Sequence, residues 1–200
     1  ELDSAPATGR PLLQSLRVRQ WLKNVFVVAP ILFAQRYDEA TAWLHMARAV
    51  AAFCLLSSAV YLVNDVCDAE SDRAHPDKAD RPIAAGRLSS PAALVAAAVL
   101  AIVGLLLAGL GAMLDPARRA ITADGGLTLW AALYLVVGVA YSVWLKRVVI
   151  LDVIIVAFGF VLRAMGGAAA IAAPISPWLV VCTFTLTLFI ALAKRRGELL

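Results

Sequence analysis

Residues 44–73 read LHMARAVAAFCLLSSAVYLVNDVCDAESDR, and this stretch decides the fold. The first twenty of these residues are predominantly apolar, which is enough for one helix to cross a bilayer core of roughly 30 Å. The last ten hold Asn64 and four acidic side chains. A helix that runs from the apolar part into the acidic part predicts an all-α membrane protein with carboxylates at the bilayer edge.

The composition of the whole chain also indicates a membrane protein. Of its 200 residues, 62% are hydrophobic and 16% are charged, and the mean hydropathy is +0.83. Soluble domains are roughly half apolar and about a quarter charged. An ordinary soluble domain, a disordered chain and a collagen-like repeat are therefore excluded. The three cysteines show no CxxC spacing, which argues against a disulfide scaffold or a cysteine metal site.

Six membrane spans are predicted. Five are continuous apolar runs, whereas the first, Trp21–Tyr37, has a short apolar run that contains Pro30. The other five are Leu44–Val63, Ala92–Leu114, Leu127–Leu145, Val148–Ala173 and Trp178–Ala193. With the N-terminus inside, thirteen Lys and Arg residues lie on cytoplasmic segments and four lie outside, a strong positive-inside bias. This orientation makes the acidic cluster cytoplasmic and explains the pI of about 9.2 without a nucleic-acid partner.

The acidic cluster has a helical pattern. Six of the 14 acidic residues of the chain fall within residues 65–80. At about 100° per residue, Asp65, Asp68 and Asp72 share one helix face, Asn64 lies at its edge and Glu70 points away. Like charges at this spacing repel each other, and a divalent cation such as Mg²⁺ would relieve the repulsion. The alternative is a solvated acidic segment that ends a helix.

Basic residues accompany the acids. The loop after the cluster contains Arg73, Lys78, Arg81 and Arg87, which suit phosphate oxygens. Arg163 lies inside a predicted span, where a charge is costly and often functional. The alternative for Arg163 is a structural pair with Asp152, eleven residues earlier on about the same helix face.

These motifs, taken in order, resemble the UbiA superfamily of intramembrane prenyltransferases. Asn64-Asp65-x-x-Asp68-x-x-x-Asp72 is similar to its NDxxDxxxD motif, and RPIAAG at 81–86 is similar to the RPxxxG that follows it. Further segments resemble its decaprenyl-phosphate phosphoribosyltransferase branch, from about residue 17 to residue 200. They are RQWLKN at 19–24, DRAHPDK at 72–78, YSVWLK at 141–146 with LDV at 151–153, and KRRGE at 194–198.

The resemblance implies a bundle of nine helices around a cytoplasm-facing cavity, with Mg²⁺ and a diphosphate held by two polar motifs. It implies a bacterial plasma-membrane enzyme that transfers 5-phosphoribose from phosphoribosyl diphosphate to a polyprenyl phosphate, for cell-wall arabinan precursors. Only six spans are predicted, and the chain stops where the second motif begins, so we expect a C-terminally incomplete domain. We expect residues 1–16 to be a disordered or interfacial tail and residues 17–200 to form this domain. Val18 stands where the branch often has proline.

The resemblance also suggests roles for individual residues. The expected metal and catalytic residues are Asp65, Asp68 and Asp72, with Asn64 as a further metal ligand. Substrate contacts are expected from Lys23, Asn64, Arg73, Lys78, Arg81, Tyr141, Lys146, Arg163 and Lys194. Tyr141 has an alternative as an interfacial anchor and Lys146 as a positive-inside charge. Gly166, Gly167 and Ala168 would allow close helix packing near the lipid acceptor.

Other functions remain open at this stage. An aromatic prenyltransferase with a prenyl diphosphate donor would use the same Mg²⁺–diphosphate face. A transporter or channel subunit would need charges along a transmembrane path, but apart from Asp152 and Arg163 the spans are nearly free of charge. A homo-oligomer is compatible with the sequence.

Overall fold

The structure, a computed structural model, describes residues 9–114 and 126–197, and all regular elements within these ranges are helices. Two are 3₁₀ helices, Val18–Asn24 and Leu145–Arg147. The α-helices are α1 (Gly9–Ser15), α2 (Val25–Phe33), α3 (Ala40–Arg73), α4 (Ser90–Leu114), α5 (Gly126–Val143), α6 (Val149–Ala170) and α7 (Pro177–Gly197). The predicted all-α fold is confirmed.

Helix α3 is the central element of the bundle. It continues for 34 residues from the apolar run through the whole acidic stretch, as its sequence predicts, and ends shortly before Pro76. It packs against α2, α4, α5 and α6. Its apolar side chains Phe53 and Leu56 are fully buried in a core shared with Val27, Leu162 and Ile171. The core therefore fixes the position of α3 and, with it, the acidic end of the helix.

The first predicted span has a different structure. Residues 21–33 are divided between the 3₁₀ helix and α2, which has nine residues and contains Pro30, and residues 34–37 lie beyond the end of α2. Nine residues rise about 14 Å, less than the bilayer core of roughly 30 Å. Gln35 follows α2 with a positive φ of 52°, which ends helical geometry there. The 3₁₀ helix ends at Asn24, and α2 begins at the next residue. The Asn24 side chain forms hydrogen bonds with Cys54 on α3 and Arg163 on α6.

Five helices of the described residues are long and apolar enough to cross a membrane, and the protein is an integral membrane protein. Large apolar side chains remain exposed on the outer helices, among them Val95 and Leu106 on α4 and Phe189 on α7. This distribution suits contact with lipid. The count of six spans is not confirmed.

Close packing brings α2 onto α6. A Cβ atom at Gly167 would lie 1.9 Å from the carbonyl oxygen of Val27, and one at Gly166 would lie 2.5 Å from the Phe53 ring. Only glycine permits this approach. The small residues of α6 therefore allow close packing, as predicted, and they position Arg163, which lies one turn earlier on the same helix.

The N-terminal prediction is only partly covered by the described residues. Residues 1–8 lie outside them, and Gly9–Ser15 forms α1, which contacts α3. The Ser15 side chain is buried. Further along, the Ser58 hydroxyl donates to the carbonyl oxygen of Leu16 at 2.8 Å, and Trp21 Nε1 donates to Ser58 Oγ at 3.0 Å. These bonds attach the segment before α2 to the middle of α3.

Candidate functional site

A cavity of about 350 Å³, here called cavity A, lies between α3, α5, α6 and the 3₁₀ helix Val18–Asn24. Its walls combine polar and charged residues with apolar side chains such as Val60 and Ile155. Eight of the residues predicted to form the site line it: Lys23, Asn64, Asp68, Lys78, Arg81, Tyr141, Lys146 and Arg163. The structure thus brings together residues that are up to 140 positions apart in the sequence.

The acidic end of α3 contributes Asn64 and Asp68 to cavity A. The Asn64 amide donates to Asp68 Oδ2 at 3.0 Å. Lys146 forms an ion pair with Asp68 and also donates to Asn64 Oδ1 at 3.4 Å. Helical spacing places the two α3 residues one turn apart, and the 3₁₀ helix after α5 brings the ammonium group to them. Lys146 is therefore part of the cavity wall.

Asp65 and Asp72 have different surroundings. Both carboxylates are nearly completely buried, at 3% and 4% exposure. Arg81 Nη1 lies 2.6 Å from Asp72 Oδ2 and 3.5 Å from Asp65 Oδ1, and Arg17 Nη2 lies 2.5 Å from the same Asp65 oxygen. Buried carboxylates need such partners because desolvation of an unpaired charge is costly. The arginines also relieve the repulsion between acids on one helix face.

The predicted three-carboxylate stripe is therefore divided. Asp68 lines cavity A, whereas Asp65 lines a separate groove beneath the N-terminal segment and Asp72 is paired with Arg81. Among the described residues, no three His, Cys, Asp or Glu side chains are close enough to form a metal cluster by themselves. Glu70 is exposed, as its helical angle predicts.

The donors of cavity A nevertheless fit a magnesium ion that arrives with a phosphorylated ligand. Mg²⁺ takes oxygen ligands and is typically held by one or two carboxylates, together with waters and phosphate oxygens. Asp68 supplies a carboxylate and Asn64 an amide oxygen on the cavity wall. These two residues are the ones that would hold the ion in cavity A.

Arg163 is buried at the wall of cavity A. Its guanidinium group donates to Asn24 Oδ1 at 2.9 Å, to Tyr134 Oη at 2.7 Å and to the Gly159 carbonyl oxygen at 3.1 Å. Its Cζ atom lies 4.5 Å from the Tyr134 ring centre and 5.1 Å from the Phe160 ring centre, in cation–π range. These partners are neutral and carry no negative charge to offset that of the guanidinium group.

The alternative pairing of Arg163 with Asp152 is not observed. Eleven residues of α-helix separate the two by about 16 Å along the axis, which exceeds the combined reach of the side chains. Asp152 instead accepts from Tyr141 Oη at 2.6 Å and from Arg195 Nη1 at 2.6 Å. The hydroxyl group of Tyr141 thus points to a carboxylate in the bundle, which does not favour its alternative as an interfacial anchor.

A second cavity of about 380 Å³, here called cavity B, adjoins cavity A. Lys23, Tyr141, Val156 and Phe160 line both of them. Cavity B contains Lys194, the last of the predicted site residues, together with Asp152 and Arg195. Arg73, by contrast, lines neither cavity and donates to the Ala84 carbonyl oxygen at 3.0 Å, a bond that braces the loop after α3.

Lys23 lies in the 3₁₀ helix ahead of α2, outside the five spanning helices. Desolvation of its ammonium group lowers its pKa below the usual 10.5, and the positive charges of Arg163, Lys194 and Arg17 lower it further. A clustered set of cations around a cavity favours an anionic ligand, because such a ligand relieves their mutual repulsion.

Sequence reasoning missed several residues of the site, among them Arg17, Asn24, Tyr134 and Arg195. Arg17 adopts a left-handed backbone conformation, with φ 50°, which no sequence pattern indicated. Asn24 and Arg195 lie within the motifs RQWLKN and KRRGE. In these motifs the resemblance suggested the neighbouring residues Lys23 and Lys194 as substrate contacts. Tyr134 lies in an apolar run and had no polar neighbour to mark it.

The described residues form an all-helical membrane protein with two adjoining basic cavities. Residues 25–196 match the UbiA prenyltransferase family, and the chain belongs to this family. A solved structure of a UbiA homologue from Archaeoglobus fulgidus bound to GPP and Mg²⁺ shares the fold, with a TM-score of 0.69 and 19% identity. That likeness covers 89% of this chain and 60% of the other.

Within the family, the chain is similar in sequence to curated decaprenyl-phosphate phosphoribosyltransferases. The decaprenyl-phosphate phosphoribosyltransferase of Mycolicibacterium smegmatis is 36% identical over 98% of this chain and 61% of its own length. The enzyme of the same name from Mycobacterium tuberculosis is 36% identical over 94% of this chain and 60% of its own length. The chain therefore spans about three-fifths of the length of these relatives.

Proposed function

We propose that this chain forms the donor-binding part of a magnesium-dependent phosphoribosyltransferase of the membrane. The reaction transfers 5-phosphoribose from phosphoribosyl diphosphate to a polyprenyl phosphate and releases pyrophosphate. The observation that carries the proposal is the pair of adjoining basic cavities, one with oxygen donors for a metal–diphosphate and one with further cations. The names of the curated relatives support the same reaction.

The proposed chemistry breaks one bond and forms another at the anomeric carbon of ribose. The bond from this carbon to the diphosphate oxygen breaks, and a phosphate oxygen of the polyprenyl phosphate forms the new bond. Mg²⁺, when bound, neutralises charge that develops on the departing pyrophosphate. Because the acceptor phosphate is already an anion, no strong general base is needed, and the described residues that line the two cavities include no histidine.

Each group of residues has a proposed part in this reaction. Asn64 and Asp68 hold the metal end of the donor, while Lys78, Arg81 and Lys146 contact diphosphate oxygens. Lys23, which lines both cavities, and Arg163, in the wall of cavity A, stabilise negative charge during transfer. Asp65 and Asp72 act through the arginines they hold. We assign Arg73 to bracing the loop rather than to substrate.

The proposed location of the site in the cell is based on the charge distribution and hydropathy of the chain. On the six-span prediction, thirteen basic residues lie on one side against four on the other, and this bias supports a site at the cytoplasmic face of a bacterial plasma membrane. A water-soluble donor would then enter from the cytoplasm and the lipid acceptor from the bilayer. We propose residues 17–200 as one membrane-embedded domain, and a role of the product in cell-wall arabinan synthesis.

Two incubations of membranes that contain this protein test the proposed function. One supplies labelled phosphoribosyl diphosphate with decaprenyl phosphate, and the other supplies labelled prenyl diphosphate with 4-hydroxybenzoate, each with Mg²⁺ or with a chelator. We expect label in a polyprenyl lipid only in the first, and only with Mg²⁺. Transfer in the second incubation alone would identify an aromatic prenyltransferase. Label in neither product would count against both enzymes and favour a transport role.

A further inference from the structure

Asp152 joins three helices at the wall of cavity B. It lies in the first turn of α6, where a carboxylate is favoured by the helix dipole. Its Oδ1 atom accepts from Tyr141 on α5 and its Oδ2 atom accepts from Arg195 on α7, both at 2.6 Å. With both oxygens engaged, Asp152 acts through the two side chains that it holds.

The charges around Asp152 favour an anion. Cavity B is lined by three basic side chains, Lys23, Lys194 and Arg195, and by the carboxylate of Asp152, an excess of two formal positive charges. A phosphate monoester carries about −1.5 to −2 at neutral pH and therefore matches this excess. Thr187, which also lines the cavity, is the other polar group of the α7 wall.

The carboxylate of Asp152 also restricts the side-chain motion of Arg195. An arginine side chain loses rotamer entropy when it is fixed on a ligand, and an ion pair that fixes it beforehand reduces this cost. Arg195 is one-third exposed, and its ion pair with Asp152 holds the guanidinium group at the wall of cavity B. Tyr141 lines both cavities, and its bond to Asp152 fixes the wall between them.

We propose that Asp152 is a positioning residue that holds Arg195 and Tyr141 as a subsite for a phosphate monoester in cavity B. This inference rests on the proposed function, in which two substrates carry such a group: the 5-phosphate of the donor and the phosphate of the polyprenyl acceptor. Cavity A takes the diphosphate, so removal of the Asp152 carboxylate should affect phosphate monoesters and spare pyrophosphate.

Calorimetric binding to the whole purified protein tests the subsite. The ligands are ribose 5-phosphate, farnesyl phosphate and pyrophosphate with Mg²⁺, and the variants are Asp152→Asn and the control Asp38→Asn, an exposed residue outside both cavities. We expect Asp152→Asn to raise the Kd of one phosphate monoester at least tenfold and that of pyrophosphate less than twofold. The monoester affected identifies which substrate uses the subsite. Equal weakening of all three ligands, or of none, would overturn the proposal.

Two more variants extend the test, and the first of them keeps it decisive if Asp152→Asn does not fold. Arg195→Gln alters the partly exposed side of the same contact and should give the same selective loss. Asp152→Glu keeps the charge and should restore at least half of the binding free energy lost in Asp152→Asn. If neither variant behaves so, Asp152 has no positioning role.

The binding test is independent of turnover. Wild-type protein that binds ribose 5-phosphate selectively through Asp152 but transfers no phosphoribose would contradict the proposed function and leave the subsite intact. The opposite case is a protein that transfers phosphoribose but in which Asp152→Asn weakens the binding of pyrophosphate as much as that of the monoesters. This result would contradict the subsite alone.

Discussion

Lys146 and Asp68 are 78 residues apart in the sequence and form an ion pair at the wall of cavity A. The contact joins the 3₁₀ helix after α5 to the acidic end of α3. Since Asp65 and Asp72 are buried against arginines, Asp68 is the carboxylate of α3 that a ligand in cavity A meets. Lys146 holds it in place and, in the proposed function, contacts a diphosphate oxygen.

Replacement of Asp68 by asparagine should therefore reduce the magnesium-dependent transfer by about 100-fold or more, because metal-assisted charge stabilisation contributes several kcal/mol to such reactions. Glu70→Gln is the matched control, since Glu70 lies on the same helix two residues later and is exposed. Initial rates over a range of Mg²⁺ concentrations measure both variants. Equal rates for Asp68→Asn and Glu70→Gln would remove Asp68 from the site.

The packing of α6 on α2 gives a prediction about stability. A methyl group at Gly167 would lie 1.9 Å from the Val27 carbonyl oxygen, so Gly167→Ala must push the two helices apart. We expect a loss of about 1–3 kcal/mol, typical of overpacking. Thermal unfolding in detergent measures this loss. Gly109→Ala is the control because its new methyl group would meet Thr128 Oγ1 only at an ordinary 3.7 Å; a comparable decrease in both variants would contradict the packing.

Much of the fold follows from local patterns, and much of the site does not. The hydropathy of α3 and its acidic continuation predicted a single helix, because both depend on neighbouring residues. The partners of the acids depend on residues far away in sequence: Arg17 for Asp65 and Lys146 for Asp68. Helical angles place carboxylates on a face but do not say which of them an arginine will neutralise. The division of the stripe therefore needed the structure.

The buried hydrogen-bond network around Arg163 also joins residues that are distant in the sequence, and it gives a prediction about stability. Tyr134→Phe removes the hydroxyl group that accepts from Arg163 and keeps the ring beneath the guanidinium group. Loss of one hydrogen bond to a buried charge should cost about 1–3 kcal/mol. This corresponds to a fall in Tm of roughly 2–4 °C for each kcal/mol in a chain of this size.

The control for this network is Tyr37→Phe, because Tyr37 is 60% exposed beyond the end of α2. Differential scanning fluorimetry in one detergent compares the two variants. A Tyr134→Phe protein as stable as Tyr37→Phe would mean that the hydrogen bond to Arg163 contributes nothing measurable.

Lys23 gives a prediction about pH. Desolvation and the charges of Arg163, Lys194 and Arg17 lower its pKa below 10.5, so it loses its proton at a lower pH than an ordinary lysine. An anion bound beside Lys23 favours the protonated form. Affinity for that anion is therefore full below the pKa of Lys23 in the free protein and falls as the pH rises through it.

Lys23→Arg provides the comparison, because a guanidinium group stays charged throughout this range. Pyrophosphate binding is measured from pH 7 to pH 10 for both proteins, and the ratio of their affinities is taken at each pH. The ratio cancels the ionisation of the ligand and of every other group common to the two proteins. We expect the wild-type affinity to fall relative to Lys23→Arg as the pH rises, because burial and the neighbouring cations lower the pKa of Lys23. A constant ratio would mean that Lys23 keeps its proton or does not contact the anion.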